Sequence, residues 1–527
     1  EISDSLLQTA ENIHSYPGFT NTYREFIIAY PWRYRYTHNG VDMDSEQFME
    51  LLDRYEAIST YNLVNESIKH KTNMQNNPVL IDEYRKYSAR INQIQLELQK
   101  PGLNENELSD LQKARNLAYG ELAYFENYNL EKSSSGTSIN KFSFSDNLDL
   151  FNEFDVIIRY CNTDYLKNGS FQWIKSQDRM KFFYTSSEEK IKTKVKIANQ
   201  LLSYSVGDTT RGDDLENSII DLFSEINGSN SAPIFEDEFK NKELNVLIIP
   251  EGSMNFFPME LLPMRFESDT TKYFYYGEFA NITYAPSLSS FVEFSKKKGK
   301  DKSKKKALLV SANPESESTA NYIDNLFVMR SDYGNIENVD NEINSIDETL
   351  SKRKFFKKGI STTVFDSKDI SETQFKATDL GDYKYIHIAA HGVHDDENPK
   401  YSGLLLGRDE NDNEDGILQA HEIFPLNLNA DLVTLSSCFS GFGEIDPNEG
   451  NLGIYRTFLI AGAKSVIISL WNVEDKSTAL LFSKFYEYLK EGHPKAKSLR
   501  LAKMYLKNET RFSHPFYWAP FILMGEA

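Results

Sequence analysis

Residues 432–443, Leu-Val-Thr-Leu-Ser-Ser-Cys-Phe-Ser-Gly-Phe-Gly, pass from a short apolar run into a glycine-rich turn, with Cys438 at the junction. A continuous apolar run of this length, bounded by turn residues, predicts a strand buried in a parallel sheet. The same signature recurs in "ALLVSA" (307–312), "TTVFD" (362–366), "YIHIAA" (385–390) and "SVIISLW" (465–471). Helical patterns such as "NVDNEINSIDETL" (338–350) and "GIYRTFLIAGA" (453–463) separate most of these runs. Strands alternating with helices imply a mostly parallel sheet with helices on both faces, so residues 306–527 read as one α/β unit.

A lysine-rich stretch, "SKKKGKDKSKKK" (295–306), precedes this unit and reads as a solvated linker, because it has no interleaved aromatics and the rest of the chain is acidic. Before it, residues 139–294 predict a first α/β unit. It carries a meander of short strands at 155–161, 170–175 and 180–185, a helix over "SEEKIKTKVKIANQLLSYS", and apolar runs in "LNVLIIP" and "NITYAPS". A Ser/Gly stretch at Glu131–Ser138 reads as the linker ahead of it. Residues 1–130 are helical in pattern. Leu80, Tyr84, Tyr87, Ile91, Ile94 and Leu98 fall on one helical stripe, Pro101-Gly102 stops it, and Asn104 can cap a second helix bearing Leu108, Leu111, Leu122 and Phe125. The pair predicts a helical hairpin over 79–129, and a further amphipathic helix over 45–68 suggests a stacked, repeat-like scaffold without proving a period.

At 527 residues, 40% of them hydrophobic, the chain should hold two to four domains. No apolar run approaches the roughly 20 residues that span a bilayer, and the first thirty residues lack a secretory leader pattern. A soluble, cytoplasmic protein without membrane contact is therefore expected. Two cysteines, Cys161 and Cys438, cannot build a disulfide framework and read as reduced thiols. A net charge of -20 argues against direct binding to nucleic acid.

In open parallel sheets the loops at the carboxyl ends of the strands host the chemistry. One predicted strand ends in His391-Gly392 and another in Cys438, so an imidazole and a thiol meet if the strands are neighbours. A free thiol is only a few per cent ionised at neutral pH, and His391 could serve as its base. Gly392, lacking a Cβ, lets a substrate carbonyl approach the main chain, where its N–H and that of Cys438 could hold an oxyanion. On these residues alone two readings stay open, a nucleophile and a buried structural thiol. His387, His391 and His394 lack a fourth ligand at zinc spacing, "DPNEG" (446–450) lacks the alternating carboxylates of a calcium loop, and Cys161 reads as core.

The ordered set "HIAAHGVHDDENPKYSGLLLG", "LNADLVTLSSCFSGFG", "NEGNLGIYRTFLIAGAKSVIISLWNVEDKST" and "HPFYWAPFILMG" resembles the CHAT family of caspase-like and separase-like cysteine peptidases, over about residues 245–527. The resemblance implies a caspase/separase-like α/β fold, with 139–294 as an inactive protease-like half, 306–527 as the active half, and a TPR-like helical region in front. It implies His391 as general base and acid, Cys438 as nucleophile, and the Gly392 and Cys438 N–H groups as oxyanion hole. The segment Trp471-Asn472-Val-Glu474-Asp475 would line the substrate pocket, its acids favouring a basic residue. No metal or organic cofactor is implied. A latent endopeptidase acting on a specific protein substrate is expected, switched on by a regulatory protein partner. Some proteins of this resemblance work with CRISPR effector complexes in antiviral defence, which makes such a ribonucleoprotein, docked on the helical region, one expected partner. The competing readings are a non-catalytic scaffold that keeps the fold for binding, and an esterase or acyltransferase using the same dyad.

Overall fold

The computed structural model describes residues 71–527 apart from 72–73, 75, 135–144, 162–170, 177–178, 207–211, 228–242, 267–268, 297–305, 313–338, 353–358, 367–369, 394–401, 409–413, 439–452 and 510. The expected helix over 45–68, most of the lysine-rich stretch, His394 and "DPNEG" lie outside the described residues.

The helical hairpin forms where its stripe predicts, as α1 (Pro78–Leu98) and α2 (Glu105–Ser134). Asn77 caps α1 by accepting from Val79 N–H at 3.1 Å, and Pro78 fills the first helical position, where a missing N–H costs nothing. Asn104 accepts from Asn106 and Glu107 N–H, while Glu107 reaches back to Asn104 N–H at 3.0 Å, a reciprocal capping box. Between the helices Gly102 takes φ +80°, open to glycine at no steric cost. Helix α2 runs to Ser134, so Glu131–Ser134, expected as linker, is helical.

The meander follows as β1 (Val156–Cys161), β2 (Phe171–Ser176) and β3 (Arg179–Tyr184), each antiparallel to the next. Then come α3 (Glu188–Tyr204), α4 (Gly212–Asn227), β4 (Leu244–Ile249), a separate hairpin of β5 (Pro263–Phe266) and β6 (Asp269–Tyr275), β7 (Ala280–Tyr284) and α5 (Leu288–Lys296). The second unit comprises β8 (Lys306–Ala312), α6 (Val339–Ser351), β9 (Ser361–Phe365), α7 (Glu372–Ala377), β10 (Tyr385–Val393), β11 (Gly403–Leu405), β12 (Ile417–Gln419), β13 (Leu432–Cys438), α8 (Gly453–Ala461), β14 (Ser465–Ser469), α9 (Asp475–Glu491), α10 (Lys495–Asn508) and β15 (Phe521–Gly525).

The two units share one sheet. Strands β9, β8, β10, β13 and β14 run parallel in that spatial order, and β15 then lies antiparallel to β14 and parallel to β7. From β7 the sheet continues through β4 and β1 into the β2–β3 meander. Strands β7, β14 and β15 are buried along their whole length, which accounts for their unbroken apolar sequences. Charge pairs, one of them buried, also tie the units together. Lys503 on α10 donates at 2.6 Å to Glu260, whose second oxygen accepts from Tyr284 OH, and Arg500 pairs with Glu243 at 2.6 Å.

The α1–α2 hairpin rests on the second unit, some three hundred residues away in sequence. Tyr84 stacks on Phe424 at 5.9 Å and donates to the His421 carbonyl at 2.9 Å. Leu98, fully buried, joins Val393, Leu405 and Ile417 in one apolar cluster. No helix among the described residues is long and apolar enough to cross a membrane.

Candidate active site

The strands bearing His391 and Cys438 are direct neighbours. Parallel β10 and β13 pair Tyr385 with Leu432, Ile386 with Val433, His387 with Thr434 and Ile388 with Leu435. His391 and Cys438 stand at the same sequence offset as these four pairs. Both residues lie beyond the last paired positions of this ladder, at the carboxyl ends of neighbouring strands, where open parallel sheets present reactive groups. Cys438 is the last residue of β13, facing Ser469 of β14 after an irregularity that begins beyond Thr434. Irregular pairing beside a site re-aims the chain locally.

Beyond Ala390, where its pairing with β8 ends, β10 turns to a new partner. His391, Gly392 and Val393 pair antiparallel with Leu405, Leu404 and Gly403 of β11, and β11 pairs in turn with β12. His391 and Gly392 are half-buried. Burial lowers the His391 pKa below its ordinary 6.5, because desolvation disfavours the imidazolium. The neutral ring that results at pH 7 is the form able to accept a proton.

Below this rung, a buried polar chain clamps the two strands. His387 places Nε2 at 2.8 Å from Glu342 on α6 and Nδ1 at 3.3 Å from Tyr486 OH on α9, while Thr434 lies 3.1 Å from the same hydroxyl. His387 and Thr434 are themselves register partners, so one tyrosine bridges the His391 strand to the Cys438 strand. Phe482 packs edge-on against His387 at 5.0 Å. This clamp was not legible in the sequence, since Glu342 and Tyr486 look like ordinary helix-surface residues.

The expected pocket residues follow β14. Trp471 is buried, stacks on Phe516 and donates through Nε1 to the Phe516 carbonyl at 3.0 Å. Ser469, opposite Cys438, donates to the Trp471 carbonyl at 2.6 Å and so ties this segment to the end of β14. Asn472 is exposed. Glu474 precedes α9 and Asp475 begins it, a placement that acids favour through the helix dipole. The Glu474 carboxylate also pairs with Arg511 at 3.0 Å, so its charge is already engaged.

A second cluster lies on the other side of β11. The carboxylates of Glu372, Glu414 and Glu422 come within 4.8 Å of one another, as a metal site would require. The Lys376 ammonium stands among them, at 2.6 Å from Glu372, 2.9 Å from Glu414 and 2.6 Å from Glu422, where a cation would be held. Lys376 holds Glu422 down to about 2 despite burial. Burial and the Glu422 charge push nearby Asp415 up to about 8.

Over 109 residues the chain is 34% identical to tetratricopeptide repeat protein 28 of Mus musculus and 32% identical to the protein of that name in Homo sapiens. The shared stretch makes up 21% of this chain and 4% of each relative, so the match spans a small fraction of those proteins. Among solved structures, the Saccharomyces cerevisiae separase–securin complex aligns with 94% of this chain and 42% of that one, at 12% identity and a TM-score of 0.42. The Arg specific cysteine proteinase gingipain R aligns with 64% of this chain and 73% of that one, at 10% identity and a TM-score of 0.35. The model of the CHAT domain matches residues 231–526. That match spans more than half of the sequence, and the chain belongs to the CHAT domain family.

Proposed function

We propose that the chain is a cysteine endopeptidase in which His391 and Cys438 form the reacting dyad. The observation that supports this reading is the β10–β13 pairing, which makes neighbours of the strand ending in Cys438 and the strand carrying His391, whose burial favours the neutral ring. In the proposed reaction His391 takes the thiol proton and the Cys438 sulfur attacks the scissile carbonyl carbon. The backbone N–H groups of Gly392 and Cys438 receive the oxyanion. The tetrahedral intermediate collapses as the imidazolium returns its proton to the departing amine, leaving an acyl thioester and a new amino terminus. Water, deprotonated by His391, then releases the carboxylate and restores the thiol.

Trp471, Asn472, Glu474 and Asp475 form the proposed substrate side of the site. A basic substrate residue would compete with Arg511 for Glu474. The two cysteines support work in a reducing compartment such as the cytoplasm. A protein partner docked on the helical region relieves latency, and a CRISPR ribonucleoprotein effector is one such partner. Leu117 and Tyr124, exposed and seven residues apart on α2, offer apolar anchors for it.

The test is prolonged incubation of the full chain with a proteome-derived peptide library, scored by mass spectrometry of new amino termini. Cuts that vanish in both Cys438→Ala and His391→Ala support the dyad. Cuts that persist in either variant refute it, and rapid, indiscriminate cutting by the wild-type chain refutes latency.

A further inference from the structure

We infer that the face between the α1–α2 hairpin and the β11–β12 hairpin is a polar latch that positions His391, so that seating or releasing the helical hairpin tunes the dyad. The inference rests on the reading of His391 and Cys438 as the reacting pair. Its starting observation is a stripe of amides on α1 and its C-cap. Asn92, Gln95 and Gln99 recur at helical spacing and are all buried, where a helix packed for stability alone would carry leucine.

Each amide meets a group beside β12. Asn92 Nδ2 donates to Glu414 at 2.6 Å and to Glu422 at 2.9 Å. Gln95 Nε2 donates to Gln419 Oε1 at 2.7 Å, an oxygen that also accepts from Tyr119 OH on α2 at 2.7 Å. Gln99 donates to the Asp415 carbonyl at 2.6 Å and accepts from Arg408 at 3.0 Å. Gln419 ends β12, which pairs with β11, which pairs with His391 and Gly392. The Leu98 cluster closes the same route from the apolar side, touching Val393 two residues past His391.

The latch is built to be reversible. Asn92 Oδ1, Gln95 Oε1 and both ring nitrogens of buried His421 lack hydrogen-bond partners among the described residues. Each such buried group works against the seated state. A hairpin packed through leucines would stay shut; one packed through half-satisfied amides sits near balance, and a partner pressing it down would shift the population toward the placed His391. This supplies a physical route from the helical region to the dyad.

The test uses the full chain and two variants that weaken the face by different chemistry. Asn92→Asp turns two attractive contacts into repulsion with Glu414 and Glu422, and Leu98→Ala removes the apolar contact. Arg85→Gln, on the exposed side of α1, is the control. The first readout is hydrogen exchange. Faster exchange at residues 391–393, 403–405 and 417–419 in both variants, at least tenfold, with β4 unchanged, is the expected result. Faster exchange in α1 while 391–393 and 403–405 stay protected would overturn the inference. The second readout is peptide hydrolysis, in which kcat falls at least fivefold while KM moves less than twofold; an unchanged or raised kcat would overturn it. Should Asn92→Asp unfold the chain, Gln99→Leu, which removes only the Asp415 and Arg408 contacts, is read in the same way. If the latent wild-type chain cleaves nothing, the exchange arm alone decides the latch, and the dyad reading is decided separately by the effect of His391→Asn on Cys438 alkylation.

Discussion

Replacing Lys503 with Met should cost the chain stability in a way that depends on pH, and the structure gives both size and sign. Lys503 and Glu260 are buried together at 2.6 Å, with Tyr284 OH donating to the other Glu260 oxygen. Met keeps the stem's packing and removes the charge. Leaving a buried carboxylate uncompensated costs about 3–5 kcal/mol. The variant has a cheaper escape, protonation of the acid. Protonating an ordinary glutamate of pKa near 4.3 costs about 1.4 kcal/mol per pH unit above that value, so about 3.7 kcal/mol at pH 7 and about 1 kcal/mol at pH 5. In the variant the carboxyl pKa is raised in the folded state, so stability is retained at low pH and lost as pH rises. The Lys503→Met deficit, read as the difference in urea unfolding free energy from wild type at matched pH, should therefore be about 3–4 kcal/mol at pH 7 and about 1 kcal/mol at pH 5. In a Lys503→Met, Glu260→Gln background, which keeps an acceptor for Tyr284, the pH dependence should vanish. A deficit equal at both pH values would refute the reasoning.

Three further outcomes follow from the same structure. Gly462 sits at φ +124° between α8 and β14, where an added Cβ would fall 2.1 Å from the Leu428 carbonyl oxygen; Gly462→Ala should cost about 2–4 kcal/mol by urea unfolding, while Gly120→Ala, with open space around it, should cost nothing. Asp415, held near 8 by burial and Glu422, contributes stability present below the ordinary carboxylate range and lost as pH rises through 8; His421, held near 4 by burial, works the other way below 6.5, so between pH 6.5 and 8, where buried Glu372, raised likewise, acts in the same direction, stability should fall with pH and Asp415→Asn should reduce the slope by about 1 kcal/mol per pH unit. Because burial lowers the His391 pKa, the acid limb of kcat/KM should lie below pH 6.5, and an acid limb above 7 would contradict the neutral-base assignment.

What was legible in the sequence, and what was not, divides along physical lines. Strands buried on both faces announce themselves by unbroken apolar runs, so β4, β7, β8, β10, β13 and β14 could all be read, as could the α1–α2 hairpin from its stripe and caps. Strand β15, "FILMG", carries the same signal after Pro520, but its pairing with β14 and β7, which joins the two units in one sheet, exists only in the folded chain. The three-residue strands β11 and β12 are too short for any periodicity, yet they set the partner of His391. His391, Gly392 and Cys438 could be singled out as candidates because they stand where parallel strands end. Glu342, Tyr486 and the amides of α1 could not, because their role exists only through contacts made across tens to hundreds of residues.

The account turns on whether the His391 ring governs the Cys438 thiol. The most direct measurement is the pH dependence of Cys438 alkylation by iodoacetamide in the full chain, followed by peptide mass spectrometry, in wild type and in His391→Asn. With only two cysteines, Cys161 reports on the integrity of the rest of the fold in the same sample. The account predicts that Cys438 in the wild type reacts at least tenfold faster at pH 7 than in His391→Asn, with the Cys161 rate unchanged. Equal Cys438 rates in the two proteins would contradict it.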